Sequence, residues 1–287
     1  MNWAGQTGTV TFTGMMIFRS YTPPTIQHLV KSIWYMEVQP AAGLLEEEII
    51  PDGHHELIFY LDNSTPRTQS SATAWQAHPA ASVVGQSLQS NRIRMFAGAR
   101  LYGVRFYPHT LYRLLGMPVH LLTSSILPLD EVLKDHGFWN HISDDPDETF
   151  IALERYLAGL LQRQNGPMPG YCYVEYSLAR IAGSRGSVGS VAMKELLQKT
   201  GITSKYHDEL FKKYVGIPPK FLGMILKFNS YIHYRARNPE KTLTDCAYEA
   251  GYYDQSHLIK SFYQFTGLSP SGYFRSGAPI SELFAGL

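Results

Sequence analysis

Gln255, Ser256, His257, Lys260 and Ser261 stand close together in the run DQSHLIKSFYQF. Each has a side chain with a donor, an acceptor or both, and each is long enough to reach a base edge. Leu258, Ile259, Phe262, Tyr263 and Phe265 are interleaved with them at a helical period, so a helix here would bury one face through Leu258 and Phe262 and turn the polar groups toward a partner. Amide, hydroxyl, imidazole and ammonium groups presented in this way suit the major groove of double-stranded DNA. Catalytic patterns do not stand out: no Ser/His/Asp spacing, glycine-rich phosphate loop or paired carboxylates are evident, and no enzyme is expected. His54-His55-Glu56 is the one cluster with metal-ligand residue types. Adjacent strand residues point to opposite faces, which leaves His54 with Glu56, or His55 with a distant partner such as His78 or His109. Ordinary strand histidines are the simpler reading, and no metal or other cofactor is expected.

The elements that must position the polar set are legible on both sides of it. Leu243, Cys246 and Ala247 fall at i, i+3, i+4, and Gly251 can leave a helix with positive φ, so one short helix ends there. Asp254 is a good N-cap for the next helix, and Gly267 and Pro270 stop it. Two short helices across a glycine-containing turn predict a helix-turn-helix over about 243–267. Cys246 falls on the buried face as a small core residue. A second copy lies upstream. Phe211, Gly216 and Pro219 of FKKYVGIPPKF correspond to Phe262, Gly267 and Pro270 of FYQFTGLSPSG at an offset of 51, and Leu196 and Gly201 correspond to Cys246 and Gly251 at an offset of 50. Similarity at a fixed period is one structural unit used twice, which predicts a first helix-turn-helix over about 190–216. Its helices are expected at Ser190–Thr200 and Thr203–Tyr214, after a lead helix at Tyr173–Gly183, and Pro218–Arg237 is expected to be a long helix holding the two motifs in register.

The run GYYDQSHLIKSFYQFTGLSP resembles the signature of the AraC family of bacterial transcription regulators, and residues 170–287 resemble that family's DNA-binding domain. The resemblance implies a sequence-specific transcription regulator, an activator, whose two reading heads enter successive major-groove faces of one duplex about 34 Å apart. Its implied partners are double-stranded DNA, a small-molecule effector, RNA polymerase and a second copy of the chain. The first head would add Lys205, Tyr206, Glu209, Lys212 and Lys213 to the DNA-contacting set. It departs from the family pattern, because His207 stands where the second head has Leu258, and Asp208-Glu209 stand where it has Ile259-Lys260. Carboxylates close to phosphates repel them, so the second head is expected to carry most of the specificity and the first head's lysines to attract the backbone.

At 287 residues the chain has room for two cores. Residues 1–169 hold 11 Lys+Arg against 15 Asp+Glu, a balance of −4, whereas 170–287 hold 14 against 9, or +5. The basic excess therefore sits with the helix-turn-helix pair. The prolines and glycines of QNGPMPGY, 164–171, mark the boundary between a domain at 1–169 and one at 170–287. Strands are expected in the Val10–Phe12 arm and at Leu29–Val38, EEEII, ELIFYL, Ala81–Gly85, Asn91–Phe96 and Arg100–Phe106, with a hairpin turn at Pro51-Asp52-Gly53 and a long loop over 63–79. Helices are expected at His109–Leu115, Pro128–His136 and Pro146–Gln164. The fold class is thus α+β in two domains: an amino-terminal β-sandwich or barrel with a few helices, and a carboxy-terminal all-α domain with two helix-turn-helix motifs joined by a long helix. WYMEV, PDGHHELIFYL and GVRFYPHTLYRLLG resemble the β-rich effector-binding or dimerising domain that accompanies some AraC-type regulators. Cys172 and Cys246 are the only cysteines, and neither an export signal nor a membrane span is indicated, so a cytoplasmic protein is expected. The alternative is a small-molecule or metal-binding β-barrel protein whose helical domain serves protein contacts.

Overall fold

The structure, a computed structural model, describes residues 7–12, 14–61, 65–69, 74–134, 137–163, 166–183, 195 and 197–276. The amino-terminal half is built from antiparallel strands: β1 (Thr7–Phe12), β2 (Met16–Tyr21), β3 (Val30–Val38), β4 (Leu44–Ile49), β5 (His55–Tyr60) and β6 (Arg67–Gln69) come first. β7 (Gln76–Ala77), β8 (Ala81–Val84), β9 (Asn91–Phe96), β10 (Arg100–Phe106) and β11 (Ile126–Pro128) follow. They form a larger sheet in the order β1-β2-β3-β10-β5-β8-β11 and a smaller one in the order β4-β9-β6-β7. The expected long loop over 63–79 thus contains β6 and β7, which pair with each other through Arg67↔Ala77 and Thr68↔Gln76.

The larger sheet is covered on both faces, which is why its central strands read as nearly unbroken apolar runs. Leu57 and Phe59 of β5, with Tyr35, Tyr102 and Val104, pack toward Phe150, Leu153 and Leu157 of α3 (Pro146–Arg163). The alternate residues Ile58 and Tyr60 join Trp34, Met36, Leu101 and Met95 between the two sheets. Gly103 makes that inner packing possible: a Cβ there would lie 2.1 Å from the Trp34 ring, so the indole rests directly on the β10 backbone. Arg105, also on the inner side of β10, is 1% exposed and donates to both Asp52 and Glu56. Glu56 pairs opposite it in the β10–β5 register.

The turn at Pro51-Asp52-Gly53 corrects the hairpin expectation. β4 pairs with β9 and β5 pairs with β10 and β8, so the chain crosses from one sheet to the other there. Asp52 accepts from the His54 amide (2.9 Å) and Gly53 adopts φ 81°, which shapes the corner. α1 (Leu111–Leu115) and α2 (Leu129–Val132) complete this half.

The carboxy-terminal half is helical: α4 (Tyr171–Gly183), α5 (Ser204–Tyr214), α6 (Pro219–Arg237), α7 (Leu243–Glu249), α8 (Gln255–Thr266) and α9 (Pro270–Ser276). Most of the expected helix at 190–200 lies outside the described residues; 197–200 are helical. Pro219 and Pro270 each begin a helix just after a glycine with positive φ, Gly216 at 93° and Gly267 at 71°, so the internal repeat is a repeat of structure. Among the described residues no helix is long and apolar enough to cross a membrane.

The two halves meet along a polar seam. His55 Nε2 lies 3.1 Å from the Val215 carbonyl, and Gln86 Nε2 donates to the same oxygen at 2.9 Å. Thr123 donates to the Gly216 carbonyl (3.1 Å), Asn229 to the Pro51 carbonyl (2.8 Å), and the Ser90 amide to the Phe265 carbonyl (2.8 Å). Ile50 lies in the helical core, and a Cβ on Gly53 would come within 2.8 Å of Leu222. Burial pushes His55 down to about 4, so it is neutral here.

Candidate nucleic-acid interface

The second helix-turn-helix is fixed at its ends by local chemistry. Thr242 caps α7 by accepting from the Asp245 amide (3.1 Å), and Asp254 caps α8 by accepting from the His257 amide (2.7 Å). Gly251, at φ 80°, makes the turn between them. Cys246 and Ala247 of α7 and Leu258, Phe262 and Phe265 of α8 are buried. Phe262 and Phe265 lie 4.9 and 5.1 Å from the Phe228 ring of α6, so the long helix is the platform on which this head is seated. One apolar core runs through both heads and α6.

The polar set divides on inspection. Gln255, Ser256, His257 and Lys260 are exposed. Ser261 is not: it is 6% exposed and donates to the His257 carbonyl (3.2 Å), so it belongs to the underside of α8 and is withdrawn from the reading face. At about 100° per residue, Gln255 lies within about 20° of Phe262 around the helix and owes its exposure to its place in the first turn. The face opposite the buried stripe is Ser256, Lys260 and Tyr263, and Tyr263 is exposed. Tyr253 in the preceding turn is 88% exposed. Helical spacing alone groups Tyr263 with the apolar residues of α8, although the offset of 51 pairs it with Lys212.

The same register reads the first head. α5 is capped by Thr203, which accepts from the Tyr206 amide (3.2 Å), and it buries His207, Leu210, Phe211 and Tyr214. Lys205, Glu209 and Lys212 then fall where α8 has Ser256, Lys260 and Tyr263, and these three are exposed, as are Tyr206 and Asp208. Lys213 is different. It is half-buried, and its ammonium lies 5.3 and 4.9 Å from the Tyr112 and Tyr214 ring centres, beside the seam.

His207 fills the core position of Leu258 without leaving an orphaned ring nitrogen. Ser177 donates its hydroxyl to the Tyr173 carbonyl (2.7 Å), so His207 Nε2, 2.8 Å from the Ser177 oxygen, is the donor in that pair. Burial lowers the pKa of His207 and favours the neutral ring.

The histidines near Glu56 are also engaged. His54 Nδ1 lies 2.8 Å from the Phe106 carbonyl and its Nε2 lies 3.1 Å from Lys31, while His55 is directed into the seam. His78 lies against Tyr60 (2.6 Å) and Thr68 (3.1 Å). Among the described residues no group of three or more His, Cys, Asp and Glu has the arrangement to hold a metal.

Two families match the chain. A helix-turn-helix domain matches residues 196–276, and a domain of unknown function (DUF6597) matches residues 19–128. No curated protein matches in sequence. Similar solved structures include ToxT from Vibrio cholerae, 9% identical over 81% of this chain and 97% of that one, with a TM-score of 0.44. An unsaturated fatty acid-bound wild-type ToxT from Vibrio cholerae is 11% identical over 82% and 97%, with a TM-score of 0.42. An oxalate decarboxylase formate complex from Lactobacillus farciminis is 15% identical over 35% and 30%, with a TM-score of 0.27.

Proposed function

We propose that the chain is an AraC-type DNA-binding transcription regulator whose second head does most of the base reading, while a cavity in the β domain senses a small molecule and biases the first head. We place the division between the two domains at residues 164–171. Contact with bases by Ser256 and Lys260, assisted by Gln255 and His257, and contact with the backbone by Lys205, Tyr206 and Lys212 follow from the two exposed faces. A homodimer working in the cytoplasm, activating transcription through contact with RNA polymerase, completes the reading; a promoter-reporter fusion and the mass of the protein in solution test those parts.

The observation that carries sensing is the construction of two adjacent loops. Gly85, Ser87, Ser124 and Ser125 line a cavity of about 490 Å³ between the sheets. Gln86 and Thr123, one residue away in each loop, hold the Val215 and Gly216 carbonyls at the exit of α5. The loops are tied together, with the Ser124 amide donating to the Gln86 carbonyl (2.8 Å) and the Gly85 amide to the Ser125 carbonyl (3.0 Å). A molecule that shifts the cavity wall therefore acts on the groups that orient the first head. Gln86→Ala is expected to leave the affinity of the second head for its half-site unchanged and to abolish the response of full-operator binding to the effector, as read by footprinting with and without it. A full response in Gln86→Ala would remove this loop from the coupling.

The unequal heads give a separate expectation. Lys260→Ala and Ser256→Ala should each weaken binding to the cognate duplex, by about 1–3 kcal/mol for the lysine, and relax preference at one base position. Lys212→Ala should weaken cognate and scrambled duplexes alike and reduce the salt slope by about 1. Glu209→Ala should tighten both if its carboxylate only repels phosphate. Unchanged cognate affinity in both second-head variants, measured at two salt concentrations, would refute the assignment of specificity to α8.

A further inference from the structure

The cavity between the sheets has a definite chemical bias, and the proposal drawn from it rests on the sensing role just proposed. Its volume falls in the range of small-molecule pockets, about 300–1,000 Å³. Its walls are mainly apolar, with Trp34, Met36, Ile58 and Leu101 on the larger sheet facing Ile93 and Met95 on the smaller. Among the described lining residues there is neither lysine nor arginine. Arg92 and Arg94 of β9 alternate with the inward Asn91, Ile93 and Met95, and both reach Glu46. Arg105 approaches the inner space but ends on Asp52 and Glu56.

The ionisable residue with a carboxylate on the wall is Glu56. Trp34 Nε1 (3.2 Å) and Arg105 (3.0 Å) both donate to its Oε1, and no described residue donates to Oε2. His78, the histidine of the lining, is kept neutral by burial, at about 4, and sits between Tyr60 and Thr68. An anion entering this space would meet a carboxylate and find no cation on the wall to receive it.

We propose that the cavity takes a largely apolar amine, seated with its body between the Trp34 and Ile93 walls and its N–H or ammonium group donating to Glu56 Oε2, and that it rejects carboxylates of the same shape. An ammonium exchanges its water for a charge-assisted hydrogen bond there, whereas an alcohol of the same body gains only a neutral donor.

The test uses the full-length protein and three probes that share one body: 4-phenylbutylamine, 4-phenylbutanol and 4-phenylbutyrate, each titrated while thermal unfolding is followed. The expected order is amine above alcohol, with no shift from the acid, and near tenfold saturation the amine should raise Tm by about 3–5 °C. In Glu56→Gln the amine should lose its advantage over the alcohol. Because that variant also removes a partner of Arg105, a second variant is needed: Ile93→Trp, which fills the cavity from the opposite sheet, should abolish all shifts. If the acid stabilises as strongly as the amine and Ile93→Trp abolishes both effects, the proposed ligand class is overturned while sensing stands. If no probe shifts Tm, or if the shifts persist in Ile93→Trp, sensing in this cavity is overturned with it.

Discussion

Arg105→Ala is expected to destabilise the β domain by about 3–5 kcal/mol, with a clear fall in the urea midpoint of unfolding. The guanidinium is 1% exposed and bridges Asp52 and Glu56. Taking it away leaves two partly buried carboxylates close together without the charge that they share, where repulsion is less screened than in bulk water. It also empties the volume of one of the largest fully buried side chains. Asp52→Asn should cost much less, because the arginine keeps Glu56 and the asparagine can still accept from the His54 amide. Equal, sub-kcal losses in the two variants would show that Arg105 is solvated through fluctuations and does not hold the corner between the sheets.

Acidification is expected to produce the second large loss. His55 is fully buried and its folded pKa is near 4 against about 6.5 unfolded, so the unfolded chain takes up the proton first as pH falls. The stabilisation is complete above about pH 6.5 and disappears as pH drops through 4; at pH 5 His55 alone accounts for about 2 kcal/mol. His78 and His109 are likewise lowered to about 4, chiefly by burial, and His54 and His207 shift in the same direction for the same cause. Glu56 works the other way, since burial raises its pKa and its folded form holds a proton longer, but it sets one group against five. Unfolding curves at pH 7 and pH 5 should therefore separate strongly, and His55→Gln should reduce that separation by about 2 kcal/mol. Curves that superimpose would mean that these rings are charged in the native state.

The helical half was legible because its signals are local. Asp254 caps the helix that its position announces, and Pro219 and Pro270 begin helices where the repeat places them. The β half was legible strand by strand but not in its pairing. Nothing within Pro51-Asp52-Gly53 separates a hairpin from a corner, because the difference lies in β9 and β10, forty residues and more downstream. Burial was hidden wherever a polar residue had taken a core position. Ser261 reads as one more hydroxyl on a reading helix until the packing beneath α8 is known. The exposed Tyr263 shows the opposite error, an aromatic residue at helical spacing that the core does not use.

Under the proposed coupling, the two loops that line the cavity and grip the end of α5 would carry information in both directions. Binding free energies around a closed cycle must sum to zero, so whatever factor an occupied cavity contributes to operator affinity, a bound operator returns to the cavity. DNA would in that sense be an effector of the proposed sensor. A regulator waiting on its promoter would respond at a lower ligand concentration than free copies of the same chain if ligand favours DNA, and at a higher one if ligand releases it. On that proposal the exchange passes through the Val215 and Gly216 carbonyls, which Gln86 and Thr123 hold.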